Sequence, residues 1–333
     1  MTTGSVLVTG GTGFLGRAII ERLLNEGDEV KALARSDAST GELGALGTEP
    51  VRGDVLDLDA LAAAMRGCDV VYHAAGANAF CARDPSPMFE VNVRGSQNVV
   101  RAAARAGVRR VVYTSSAATL GEASGTIGSE ESPHRGWFLS DYERSKFEAE
   151  QAVFATARET GVEIVSVNPA SVQGPGRASG SARLLLDYLN GRLKAVVDSQ
   201  LSLVDIADCT DGHLLAGSRG MPGERYVLSG ATLSVREGLA LVASLVGVDR
   251  PVRTLPPAVA LAVATAVEAF GRVRRSSPRI CRELARTLVH GHAYDGSKAT
   301  RMLGLRYMPI EETLRRTVDW WVEQQLVPGR RAS

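Results

Sequence analysis

Val8-Thr9-Gly10-Gly11-Thr12-Gly13-Phe14-Leu15-Gly16 is the stretch on which the reading of the fold turns. It follows a short β-branched run, Ser5–Thr9, and opens a segment with apolar residues at helical spacing, Leu15–Asn25. Each glycine then has its own physical reason. Gly10 permits a tight turn, Gly13 lets backbone approach a pyrophosphate, and Gly16 lets the helix pack closely on the sheet. Thr12, Phe14 and Leu15 lie on the same turn, where the unpaired N–H groups of the helix N-terminus face an anion. Three glycines alone are a weak signal, since an empty turn also uses them. Strand, turn and helix in this order point to a dinucleotide-binding turn.

Working outward, short strand-like runs alternate with Ala/Leu-rich helical stretches. The strands are expected at Ser5–Thr9, Glu29–Ala34, Pro50–Arg52, Val70–His73, Arg110–Thr114 and Glu163–Asn168, and the helices at Leu15–Asn25, Leu58–Met65, Val91–Ala106 and Asp141–Thr160. Gly27, Gly67 and Gly107 sit where left-handed helix caps belong. Such alternation predicts an α/β fold, a doubly wound parallel sheet of the Rossmann kind. After Asn168-Pro169 the regularity weakens into a loop around Gly174-Pro175-Gly176 and then a smaller α+β C-terminal lobe. Its pieces are Ala182–Leu193, Arg225–Leu228, Val235–Val246 and Glu311–Gln325. The expected division is a nucleotide-binding domain at 1–168 with a later return near 201–218, a substrate-binding lobe at 169–200 and 219–327, and a frayed tail at 328–333.

Composition narrows the function classes. A net charge of +1 over 333 residues gives no electrostatic reason for a nucleic-acid or anionic-membrane partner. Met1 leads almost directly into the first strand, which leaves no room for a cleaved signal peptide. The apolar stretch Ala258–Phe270 is interrupted by Glu268 and is too short to span a bilayer. Cys68, Cys81, Cys209 and Cys281 are scattered, so reduced thiols in a cytoplasmic protein are expected.

Cofactor choice falls at the end of the second strand. Arg35 stands where an NAD site usually places a carboxylate, and it can hold the 2′-phosphate of NADP by charge-assisted hydrogen bonds. The alternative is a solvated surface arginine, and nearby Asp37 tempers the preference, so NAD stays open. Asp54, followed by Val55, is placed either to accept a hydrogen bond from adenine or to cap the next helix. Ala74, Ala75 and Gly76 supply small residues where backbone passes a cofactor, and His73 before them reads as structural. His290 and His292 share a face of an extended segment, but no third ligand accompanies them in sequence, so no metal site is expected.

Tyr142 and Lys146 lie four residues apart on one helix face. A nearby ammonium favours the phenolate, and such a tyrosine exchanges a proton with a carbonyl oxygen while hydride reaches the carbon. Ser116, 26 residues earlier, ends the strand Arg110–Thr114 in Thr114-Ser115-Ser116-Ala117, where its hydroxyl can hold the substrate oxygen. Ser115 should point to the other side.

Together the glycine turn, Asp54-Val55, His73-Ala74-Ala75-Gly76, Asn92-Val93-Arg94-Gly95, the serine strand, the Tyr/Lys pair and Asn168-Pro169 resemble an extended short-chain dehydrogenase/reductase of the epimerase/dehydratase family. They cover about the first half of the chain. By this resemblance Ser116, Tyr142 and Lys146 are the catalytic residues, and Tyr142, Lys146 and Pro169 also line the cofactor. Asn92 resembles an asparagine near the family's active site, with helix capping or packing as the other reading.

Arg35, Tyr113–Gly121, Tyr142–Glu148, Leu201–Leu215, Gly223-Glu224-Arg225-Tyr226 and the run from Tyr294 to Trp320 are similar to the dihydroflavonol-4-reductase-like branch. That resemblance implies NADPH-dependent reduction of a ketone or aldehyde on a fairly apolar small molecule, by a homodimer. Two other readings stand beside it: a sugar-nucleotide epimerase or dehydratase with tightly held NAD, and a non-catalytic NADP-sensing protein. The first would carry an acid at position 35 or beside Ser116, and the second typically lacks the Tyr/Lys pair. The segment Pro256–Phe270 is expected to be ordinary core helix rather than pocket wall.

Overall fold

The computed structural model describes residues 5–274 and 280–327; the expected tail at 328–333 lies outside them. Seven parallel strands form the main sheet, in the order Arg225–Leu228, Glu163–Pro169, Arg110–Thr114, Val70–His73, Ser5–Thr9, Glu29–Ala34 and Glu49–Arg52. Strand Ser5–Thr9 pairs with Glu29–Ala34 on one side (Val6 opposite Val30) and with Val70–His73 on the other (Thr9 opposite His73). The chain therefore winds outward in both directions from this strand, and the loops at its C-terminal end part to leave a crevice.

Alternation along the strands fills both faces. Val6 and Val8 pack with Ile19, Ile20 and Leu23 of the helix Phe14–Glu26. Leu7 faces the other way, among Val71, Val111, Val99 and Val153. Smaller sheets complete the chain, including Ala231–Ser234, Gln200–Asp205 and Ser171–Gln173. The helices Ala182–Leu189, Val235–Val246 and Ile310–Glu323 surround a separate core that includes Leu186, Leu189, Val242, Leu314 and the fully buried Trp321.

Four sequence expectations change. The strand Arg225–Leu228, assigned above to the smaller lobe, extends the main sheet by pairing with Glu163–Pro169, Tyr226 opposite Val167. The expected helix Val91–Ala106 is two pieces, most of a π-helical turn Glu90–Gly95 and the helix Ser96–Ala106, with a short helix Ser86–Phe89 before them. The helix Pro257–Val273 is not core: Val259, Val263 and Phe270 are exposed, and only one edge, including Ala264, is covered. Finally, Cys81 and Cys281 form a disulfide, with Cα atoms 5.6 Å apart, while Cys68 and Cys209 are free and buried. Sequence spacing gave no hint of a pair 200 residues apart. The cysteines therefore no longer argue for a reducing compartment. Among the described residues no helix is long and apolar enough to cross a membrane.

The disulfide closes a loop long enough to restrict the unfolded chain strongly. Cys281→Ser should lower unfolding stability by roughly 2–4 kcal/mol, and reductant should bring wild type to the same value. Superimposable urea curves for the two oxidised proteins would show that the link carries no stability.

Candidate active site

The glycine turn sits where backbone meets backbone. Gly10 has a φ of +75°, and a Cβ there would lie 2.6 Å from the Ala75 nitrogen and 2.7 Å from the Ala74 carbonyl carbon. At Gly16 a Cβ would lie 2.1 Å from the Gly10 oxygen, so only glycine lets the helix start this close to the turn. Gly13 is the N-cap and offers no side chain to the first-turn N–H groups, which leaves them to an anion. This cradle fits the pyrophosphate of a dinucleotide.

Behind the turn runs a buried relay. Thr9 Oγ1 lies 2.7 Å from His73 Nδ1, His73 Nε2 lies 3.0 Å from Ser96 Oγ, and Ser96 Oγ donates to the Asn92 carbonyl at 2.6 Å. Burial, aided by the Lys146 charge, lowers the His73 pKa to about 3, so the ring is neutral and structural. Asn92 neither caps a helix nor merely packs. Its side chain accepts from Ala77 N (2.7 Å) and donates to Ala77 O and Ser145 Oγ (both 2.9 Å). It thereby ties the loop after Gly76 to the Tyr142 helix. A Cβ on Gly76 would sit 3.4 Å from Asn92 Oδ1 and 3.9 Å from Lys146 Nζ, which places Ala74, Ala75 and Gly76 on the rim of the same cleft.

Ser116, Tyr142 and Lys146 meet at the strand end. Ser115 is buried and Ser116 half-buried, as strand alternation requires. Burial raises the Tyr142 phenol above its ordinary pKa; a side-chain hydrogen bond with Ser116 and the charge of Arg177 pull it back. Arg177 is thus a positive charge near the phenol that the sequence left unnamed. Lys146 Nζ donates to the Thr114 carbonyl at 2.7 Å and lies 5.1 Å from the Tyr113 ring centroid. Burial pulls its pKa down to about 8, against the opposing influence of Glu150.

Glu150 is one helical turn beyond Lys146 and fully buried. It accepts from Asn168 Nδ2 (2.6 Å), Thr119 Oγ1 (3.3 Å) and Arg225 Nη1 (3.1 Å). Its spacing of four and eight residues from Lys146 and Tyr142 was a signal in the sequence that went unread. Pro169 ends the neighbouring strand, buried opposite Leu228.

At the adenosine end, Arg35 is exposed immediately after strand Glu29–Ala34, with no recorded partner among the described residues. Asp37 is engaged by Arg52. Ser36 caps the following helix Asp37–Ala45 through a reciprocal capping box with Ser39. Asp54 does not cap the next helix: its Oδ1 accepts from Leu56 N at 2.9 Å, and Asp57 is the cap. Val55 beside it is buried against Gly95.

Further features surround this site. Arg177, in the loop after Gly176, stacks 5.2 Å from the Phe14 ring centroid at the start of the first helix. Phe80 lies 5.7 Å from the Tyr142 ring centroid and precedes the disulfide. Glu283, at the start of helix Arg282–His290, accepts from Cys81 N and, at 3.0 Å, from Asp141 N. The third ligand-type group that His290 and His292 lacked in sequence is supplied by Glu122, with Oε1 3.4 and 2.6 Å from their nitrogens. Burial raises the Glu122 pKa, but hydrogen bonds with these histidines outweigh it and hold the carboxyl at about 2. An open groove of about 710 Å³ lies elsewhere along the Tyr142 helix, lined by Phe147, Gln151, Phe154 and Pro222, and includes none of Ser116, Tyr142 and Lys146.

Comparison with known proteins agrees with this geometry. The model of the NAD dependent epimerase/dehydratase family matches residues 6–229. A Synechocystis protein provisionally named dihydroflavonol 4-reductase is 33% identical, over 94% of this chain and 93% of its own. The sterol demethylase protein B of Methylococcus capsulatus is 32% identical over 98% and 100%, and the 2-alkyl-3-oxoalkanoate reductase of Stenotrophomonas maltophilia 32% over 93% and 97%. Among solved structures, gox2253 superposes with a TM-score of 0.85 at 30% identity, covering 97% of this chain and 99% of that one. The dTDP-glucose 4,6-dehydratase DesIV of Streptomyces venezuelae, solved with NAD, gives 0.77 at 25%, over 96% and 98%.

Proposed function

The chain belongs to the NAD dependent epimerase/dehydratase family and is an NAD(P)-dependent oxidoreductase, and from that premise we propose that it uses NADPH to reduce a ketone or aldehyde on a fairly apolar small molecule. The observation that carries this reading is the meeting of Ser116, Tyr142 and Lys146 beside the glycine cradle. An unpaired Arg35 stands at the position that chooses between dinucleotides. The names of two relatives, dihydroflavonol 4-reductase and 2-alkyl-3-oxoalkanoate reductase, support it. Phe80 beside Tyr142 gives the substrate an apolar wall.

In this proposal the pyrophosphate is held by backbone N–H groups from Gly10 to Gly16, including Thr12, Phe14 and Leu15. Arg35 takes the 2′-phosphate, Asp54 and Val55 flank adenine, and Ala74, Ala75, Gly76, Lys146 and Pro169 line the path to the nicotinamide end. The cofactor supplies the hydride that the carbonyl carbon accepts. Ser116 donates a hydrogen bond to the carbonyl oxygen and orients it beside the phenol. Tyr142 Oη then gives its proton to that oxygen, and burial of the phenol keeps this proton in place at neutral pH. Below a pKa of about 8 the Lys146 ammonium is charged and favours the phenolate left behind. Burial of Lys146 also confines the ammonium, so its charge acts at short range. A homodimer, as the family resemblance implies, belongs to the same proposal.

The rival sugar-nucleotide reading draws on the likeness to DesIV. Equilibrium binding of NADPH, NADP⁺, NADH and NAD⁺ separates the two. Exchangeable binding that favours NADPH is the expected result, and tightly retained NAD would overturn it. Arg35→Asp should shift the preference towards NAD by about tenfold or more, through loss of a charge-assisted phosphate contact; an unchanged ratio would reduce Arg35 to a surface charge.

Tyr142→Phe should lower turnover by roughly 100-fold or more while leaving cofactor affinity nearly intact. Unaltered turnover would remove Tyr142 from its role. For carbonyl reduction, kcat should be high on the acid side and fall as pH rises through about 8, where Lys146 loses its charge. A profile flat across that range would show that the lysine charge does not assist the step.

A further inference from the structure

Outside the catalytic cleft, the buried chemistry is densest where the C-terminal segment crosses the loop that follows Ser116. Glu122 comes from that loop, His290 ends the helix Arg282–His290, and His292 leads into the short strand Ala293–Tyr294. Two imidazoles converge on one carboxylate oxygen: Glu122 Oε1 is 2.6 Å from His292 Nδ1 and 3.4 Å from His290 Nε2. The Tyr294 hydroxyl is 2.9 Å from the same His292 nitrogen. The side chains of Glu122, His290 and His292 are only 1%, 5% and 16% exposed.

The pairing inside this cluster is incomplete. The second Glu122 oxygen, Oε2, is buried without a hydrogen-bond partner, and the buried His290 Nε2 has only its long 3.4 Å approach to Oε1. Nε2 of His134, whose ring lies against Gly121 next to Glu122, is also buried without a partner. Leaving a buried polar atom unpaired is costly, so several in one place call for a ligand. Water could satisfy some of them, but two imidazole nitrogens and a carboxylate are the donors that a zinc-like ion takes, with a further position left open. Bonds of about 2.0–2.2 Å to a tetrahedral ion put neighbouring donors roughly 3.4 Å apart. The donor atoms of all three residues lie within 4.8 Å of one another, and the 2.6 Å Glu122–His292 pair would open to admit an ion.

We propose that Glu122, His290 and His292 form a binding site for one divalent transition-metal ion of the zinc class. Among the described residues the other close group of this kind, Cys81, Cys281 and Glu283, has its sulfurs committed to the disulfide. Of the five histidines, His73 is bonded to Thr9 and Ser96, and His213 to Thr114 and the Cys209 carbonyl. That leaves few competing imidazoles in this chain. The ion would fasten the C-terminal segment to the loop six residues after Ser116, at the opposite end of the helix Arg282–His290 from the disulfide. This inference stands apart from the cofactor assignment.

The test uses the full oxidised chain, free of any purification tag and stripped with chelator, titrated with Co²⁺ and then Zn²⁺. Bound metal is counted by elemental analysis after gel filtration, and the visible spectrum of cobalt reports its coordination. One ion per chain is expected, with the intensified absorption of four- or five-coordinate cobalt, displaced by zinc. His292→Ala and Glu122→Gln should each weaken binding by about 100-fold or more, given that even loss of an outer-sphere partner costs 10–100-fold. Cys281→Ser should retain the ion, which separates this site from the cysteine group. Zinc should raise the thermal midpoint of wild type and leave that of His292→Ala unmoved. His292 is the most exposed of the three, so its variant keeps the test available should Glu122→Gln fail to fold. Absence of metal from wild type, or equal binding by wild type and His292→Ala, would overturn the proposal.

Discussion

At the ends of strands Ser5–Thr9 and Val70–His73 two stretches of backbone touch, and the cleft is organised around that contact. Gly10 can lie against the Ala74–Ala75 peptide only because neither side presents a side chain in the gap. The contact is secured from behind: Thr9 reaches His73, His73 reaches Ser96, and Ser96 returns to Asn92. Asn92 then holds the loop beyond Gly76 and the helix that carries Tyr142. A neutral His73 suits this task, because a charged imidazolium would be stranded in the interior beside Lys146. The glycine turn and the Tyr142 helix are thus positioned by one buried polar chain rather than by separate devices.

Lys146 shows how the same economy extends to electrostatics. A lysine buried alone would give up its proton, and its low pKa records that tendency. Glu150 opposes the loss from one turn away, while the Thr114 carbonyl gives the amino group a fixed acceptor. Glu150 is itself paired with Arg225, whose strand forms the edge of the main sheet. A residue after position 219, outside the nucleotide-binding segment as the sequence suggests it, is therefore tied to the charges of the candidate site. Strand Arg225–Leu228 belongs with that site as well as with the sheet.

What could be read in advance was local. Hydrophobic period, glycine caps and the order of strand, turn and helix gave the parallel sheet, and Tyr142 and Lys146 were visible as a pair on one helix face. What could not be read depended on distant approach. Cys81 and Cys281 are 200 residues apart, and no spacing rule joins them. The partner of His290 and His292 lies some 170 residues upstream, so an absence of nearby ligands in sequence said nothing of the folded surroundings. The helix Pro257–Val273 misled for a different reason: its Ala/Val composition describes a surface that tends to be covered, while the fold of one chain leaves Val259, Val263 and Phe270 in solvent.

These distant approaches converge on the helix Arg282–His290. Near its start, Cys281 is bonded to Cys81, one residue beyond the phenylalanine that lies against Tyr142, and Glu283 binds the first backbone N–H of the tyrosine's own helix. At its end, His290 and His292 meet Glu122 just beyond the Ser116 turn. The helix therefore reaches both the start of the Tyr142 helix and the loop after Ser116. The glycine turn is anchored separately, by Thr9 and His73 on the two neighbouring strands behind it. The turn and the C-terminal helix are thus held by different sets of contacts.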